Sequence, residues 1–102
     1  MHNNEEQVRR CLSNANQCLN FLRTVIDDLL LKRDMLNNNS LNKVLEAQIR
    51  YKKHKAVLTN IEDLLSKKNY PLSEFFCASL SKSLTKRIAL IIELSIELDK
   101  ER

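Results

Sequence analysis

The sequence predicts an all-α protein of three long antiparallel helices, and three observations carry that prediction. There is no glycine in 102 residues, the only proline is Pro71, and apolar residues recur with helical periods along most of the chain. Average usage would give roughly seven glycines in a chain of this length. Glycine supplies the positive φ that tight turns and close backbone approach to a ligand require, so its absence favours long elements with few joints. It also counts against the glycine-rich loops that cradle phosphates and dinucleotides.

The first helix is expected over about residues 4–36. Val8, Leu12, Ala15, Leu19, Leu22, Ile26, Leu29 and Leu36 follow alternating spacings of four and three, interrupted only at Arg33. Such a seam packs along its whole length. Cys11, Cys18 and Val25 lie beside it and widen it to a core-facing surface. Asn4 is the expected N-cap, with Gln7 three positions on and Glu5 and Glu6 near the positive helix end. Asp27 and Asp28 diverge by about 100° on a helix, which makes them ion-pair partners for Arg23 and Lys32 rather than a proton-sharing pair.

Asn37 to Asn39 form a polar stop, and Ser40 is positioned to cap a second helix over about residues 40–67. Its apolar face moves along the way. Leu41, Val44, Leu45 and Ile49 cluster on one side of the wheel, and Leu58, Ile61, Leu64 and Leu65 on nearly the opposite side. A heptad stripe drifts only about 20° per repeat, so the swing implies two different partners along the helix or a bend near its middle.

Lys68 to Pro71 make the second joint, with Pro71 in the first turn of a third helix over about residues 71–100. Ser73 followed by Glu74 offers a second start. Phe76, Leu80, Leu84, Ile88, Ile91 and Leu98 form its expected core face. Between Ile88 and Leu98 the chain is apolar nearly all round, and Leu94 to Leu98 alternate as a strand would. No other segment supplies a partner strand, so helix is the better reading. Leu90, Ile92 and Ile96 then point away from the core face. Either the first two helices wrap around this stretch, or it meets another chain.

Short joints between helices of similar length give an up-down-up bundle in one helical domain, 1–102. The alternative is an extended coiled-coil hairpin completed by another chain. In either form the surplus apolar residues favour a partner: Leu41, Leu45 and Ile49 on the second helix and Leu90, Ile92 and Ile96 on the third are expected to face another chain.

Charge adds a second surface. Lysines and arginines number 17 against 13 aspartates and glutamates, a net charge of +4. The first and last thirds balance, so the excess falls on residues 37–70 and concentrates in Arg50, Lys52, Lys53 and Lys55. The run reads first as a solvated helix middle whose charges encircle the axis; an anionic partner would be an acidic protein surface or, less favoured, nucleic acid. Six consecutive helical residues cannot all face one partner, and beyond Tyr51 no aromatic residue is interleaved for base stacking.

Chemistry-bearing patterns are missing. His54 falls on the seam of Tyr51, Leu58 and Ile61 without a His or Cys at i±4, so no metal site is expected. No cofactor motif occurs, and Cys77 or a serine would have only His54 as an orienting base. The expectation is a protein that is not an enzyme. Cys11 and Cys18 are two turns apart, roughly 10 Å, too far for a disulfide; with the odd count of three cysteines this favours an intracellular, cytoplasmic setting. The longest apolar run, Ile88 to Ile92, is far short of the ~20 residues of a membrane span.

In length, helical pattern and lack of glycine, the chain resembles small export chaperones and small coiled-coil complex subunits as classes, with no motif specific to either. The function expected is therefore a helical protein–protein interaction module: an adaptor, a chaperone or a subunit of a coiled-coil assembly. Phosphate binding through the basic stretch is the alternative.

Overall fold

The structure, a computed structural model, describes residues 3–100. Helix α1 spans Asn3–Leu31, α2 spans Asn38–Ser66 and α3 spans Tyr70–Lys100. A single 3-10 turn, Arg33–Met35, joins the first two. Among the described residues there is no strand, and Leu94 to Leu98 are helical. Every helix packs on both others, which closes an up-down-up three-helix bundle and replaces the open hairpin. The bundle is a rod of 53 × 19 × 16 Å. Its radius of gyration, 15.9 Å, exceeds the about 13 Å of a compact domain of this length.

The joints explain where the helices stop. Helix α1 ends at Leu31, short of the expected Leu36, because the chain tightens into i→i−3 bonds. Lys32 N–H donates to Leu29 O at 3.1 Å, Met35 N–H to Lys32 O at 2.9 Å and Leu36 N–H to Arg33 O at 3.0 Å. Asn37 is extended and its side chain accepts the Ser40 N–H at 2.7 Å, so Asn37, and not Ser40, caps α2. The reversal must fit between these two ends, and a 3-10 turn makes it in the fewest residues. At the other terminus Asn4 lies within α1 instead of capping it.

Helix α2 ends in a Schellman motif: Asn69 N–H donates to Leu64 O and Lys68 N–H to Leu65 O, each at 2.9 Å. Lys68 takes the left-handed position with φ 60°. One left-handed turn is therefore needed after all, and a lysine makes it. Asn69 caps α3, its side chain accepting the Leu72 N–H at 3.4 Å and its carbonyl accepting both N–H and Oγ of Ser73 at 3.0 and 2.7 Å. Ser73 is thus a buried polar residue with its hydroxyl satisfied.

The core is a single layer of seam residues. On α1 it is the predicted seam: Val8, Ala15, Leu19, Leu22, Ile26 and Leu29 are buried, and Leu12 and Leu36 partly so. Arg23–Asp27 (3.7 Å) and Lys32–Asp28 (3.2 Å) pair as the spacing predicts. On α2 the expected swing does not occur. Val44, Ala47, Tyr51, His54, Leu58, Ile61 and Leu65, spaced by three and four, form one straight seam of buried and half-buried residues. The stretch Tyr51, His54, Leu58 and Ile61 is the seam on which His54 was expected; its continuation through Ala47 to Val44 was not read, because Ala47 is small. Leu45 and Ile49, which suggested the swing, stand outside.

A one-residue lure also misplaced part of α3. The seam runs through Tyr70, Ser73, Cys77, Leu80, Leu84, Arg87, Ile91, Leu94 and Leu98. The predicted Phe76 and Ile88 are flanking neighbours of Cys77 and Arg87. Phe76 is 40% exposed, whereas Cys77 is 2% exposed.

Cys77 reaches Cys11 across the α1–α3 interface and forms a disulfide with it, Cα–Cα 6.4 Å. Sequence spacing along one helix tested only the Cys11–Cys18 pair; the real partner is 66 residues away. Cys18 remains a free thiol, half-buried on the same edge of α1. The Ser81 hydroxyl sits 3.3 Å from Cys11 Sγ.

Candidate partner-binding surfaces

Three seams facing inward leave three outer faces, one over each pair of helices. Helices α1 and α3 run parallel, with Cys11 beside Cys77 and the Tyr70 hydroxyl donating to Glu5 at 3.5 Å. Helix α2 runs against both. The Arg87–Glu46 pair, 3.9 Å, marks its register on α3.

That register distributes the six predicted apolar residues over different faces. Leu41, Leu45 and Ile49 follow an i, i+4, i+8 ridge on the outer, α1-ward side of α2; Leu41 is half-buried, Leu45 40% exposed and Ile49 56% exposed. Ile92 and Ile96, 38% and 50% exposed, stand on the outer, α1-ward side of α3. Leu90 is about 200° around the helix from Ile92 and lines the α2–α3 groove instead. Helices α1 and α2 do not wrap around this stretch; they cover only its seam.

What the six share is a level on the rod. Together with Phe21, Leu31 and Met35, the exposed members lie in the half that carries the α1–α2 joint. The remaining large exposed hydrophobics, Leu72, Phe75 and Phe76, gather at the start of α3, where the two phenyl rings meet edge to face at 5.5 Å.

The basic stretch divides in the same way. Arg50 and Lys53 face the α2–α3 groove. Lys52 and Lys55 project from the α1-ward side of α2, as 100° per residue requires. The fold supplies the groove with three further cations that the sequence reading did not single out, Lys43, Lys86 and Arg87. Arg87 occupies a seam position, its side chain 18% exposed, with its guanidinium at the groove. Heptad spacing carried the missed signal: Phe76, Ser83 and Leu90 recur at seven, as do Lys43, Arg50 and Val57.

Two clefts make up this groove. One, of about 450 Å³, lies around Lys43, Arg50, Arg87 and Leu90; the other, about 260 Å³, around Arg50, Lys53, Val57 and Phe76. His54 borders the second, its Nδ1 2.6 Å from the Arg50 carbonyl, to which it donates. Between α1 and α2 a cleft of about 480 Å³ has one cation, Arg9, balanced by one carboxylate, Glu62. Among the described residues no group of three His, Cys, Asp or Glu is placed to hold a metal, and no helix is long and apolar enough to cross a membrane.

Comparison with protein-family models, with curated proteins and with solved structures finds no match to this chain. The surfaces therefore have to be read from their own chemistry.

Proposed function

We propose that this chain is a non-catalytic helical protein–protein interaction module, a small adaptor, chaperone or subunit of a coiled-coil assembly. One observation carries the reading. The three seams already complete a core, yet Leu45, Ile49, Leu90, Ile92 and Ile96 remain 38–56% exposed in one half of the rod. Large apolar residues left exposed at one level of a rod, beyond a completed core, support an interaction site there. Residues from several faces at one level fit a partner, or a second copy, that surrounds that half. Phosphate binding is less well supported, because Arg50 and Lys53 are turned away from Lys52 and Lys55. The intracellular setting expected from the sequence is proposed with one condition: cytosolic thiols are kept reduced, so there Cys11 and Cys77 would stand as neighbouring thiols.

The test compares the natural chain with a Leu45→Ser, Ile49→Ser, Ile92→Ser, Ile96→Ser variant whose helicity and melting are verified by circular dichroism. Solution mass is measured at two concentrations, and co-purifying proteins are identified from the source cells. The expected outcome is self-association or a defined protein set, present with the natural chain and lost with the variant. A monomer at both concentrations with the same proteins, or none, on both chains would sink the reading. Co-purifying nucleic acid that dissociates steeply with salt would do the same.

A further inference from the structure

We infer that the α2–α3 groove is the seat of an acidic amphipathic helix donated by a partner protein, docking as a fourth helix of the bundle. The inference rests on the protein-binding reading above and names the partner's chemistry. Both walls of the groove repeat every seven residues: Lys43, Arg50 and Val57 on α2, and Phe76, Ser83 and Leu90 on α3. Because the helices are antiparallel, with Glu46 level with Arg87, these positions pair as three layers. Val57 faces Phe76, Arg50 faces Ser83, and Lys43 faces Leu90. The end layers thus offer the apolar side chains Val57, Phe76 and Leu90, the last with Lys43 opposite, and the middle layer is basic.

Charge in the middle layer is undercompensated. Arg50, Lys86 and Arg87 line one cleft and Arg50 and Lys53 the next, so Arg50 stands between the other three, and the carboxylate at this level is Glu46. It serves both guanidiniums at 3.9 Å, longer than a good charged hydrogen bond. Glu93 and Glu97 line the groove only farther along α3, towards Lys43. A helix lying in such a groove presents one stripe to it. Layers one heptad apart, about 10 Å, match a ligand with apolar anchors about fourteen residues apart and carboxylates in the turns between. Phosphates would answer the cations, but they would leave the apolar layers at Val57, Phe76 and Leu90 unused.

The experiment is a selection of random 25-residue peptides, displayed on phage, against the full chain. Enriched sequences are expected to carry apolar residues two heptads apart flanking Asp or Glu, and to become helical on binding. As synthetic peptides they should lose at least tenfold in affinity to Arg50→Glu and to Leu90→Asp. Arg50 and Leu90 are surface side chains, so both variants should fold, and circular dichroism verifies it. Asn14→Asp, on the exposed back of α1, should bind as the natural chain does. No enrichment, basic or neutral sequences, or affinity indifferent to Arg50→Glu and Leu90→Asp would each overturn the proposal. So would binding of a thirty-residue poly-dT with the same Arg50 dependence when no acidic peptide binds. None of these outcomes touches the co-purification test, so the groove and the broader reading can fail separately.

Discussion

Lys68 holds φ 60° at the end of α2, a conformation that crowds Cβ against the following carbonyl. That crowding costs a non-glycine residue roughly 1 kcal/mol or more. Its side chain is exposed, so nothing packed is lost by removing it. Lys68→Gly should keep the two Schellman bonds and relieve the strain. The gain is partly offset because glycine also frees the unfolded chain. The expected net effect is a melting temperature higher by about 4 °C, on the scale of 4–8 °C per kcal/mol for a domain this size. Thermal melting followed by circular dichroism measures it, and a drop would mean that the left-handed turn is not populated. The absence of glycine predicted long helices correctly and still left one position where glycine would fit better.

Single elements show what was legible and why. Helix α1 was readable because its seam positions, from Val8 to Leu29, are all apolar. On α2 periodicity was half read: Tyr51, His54, Leu58 and Ile61 were placed on one seam, but Ala47, which carries it on to Val44, was passed over for Leu45 and Ile49, which sit outside. A pattern built on hydrophobicity follows the larger apolar residues, whereas the packing follows the spacing. The same contest on α3 pits Phe76 against Cys77 and Ile88 against Arg87, and a substitution can decide it. Phe76 is 40% exposed and Leu80 3%. Leu80→Ala should cost about 2–5 kcal/mol, the range for a buried leucine. Phe76→Ser should cost about 1 kcal/mol or less, as for a surface change. Urea unfolding ranks the two, and a Phe76→Ser cost equal to that of Leu80→Ala would restore Phe76 to the core. The groove itself was half legible: Arg50, Lys53 and Leu90 were singled out, but Lys86, Arg87 and Phe76 join them only once the α2–α3 register is known.

At the scale of the whole molecule, a rod 16–19 Å across has no interior beyond its three seams. Little apolar surface is buried per residue in such a shape, and stability in small domains is correspondingly narrow, about 5–15 kcal/mol. The Cys11–Cys77 bond matters in that context, because among the described helices it ties the two, α1 and α3, that no loop connects directly. Its partners are 66 residues apart, and closing a loop of that length in the unfolded chain is worth about 4 kcal/mol in the chain-entropy treatment. Reduction, or the Cys11→Ser, Cys77→Ser pair, should therefore lower the melting temperature by roughly 15–30 °C. The bundle should still form, since Leu19, Leu22, Ile61 and Leu84 pack without help from either sulfur. Alkylation provides the independent readout: under denaturing conditions the oxidised chain should take one label, at Cys18, and the reduced chain three. Three labels without reductant in protein taken directly from its cells would show the pair reduced in its own setting. The stapled and unstapled rods would then differ in how readily α3 parts from α1 at the Cys77 end, a difference the same melting experiment reads.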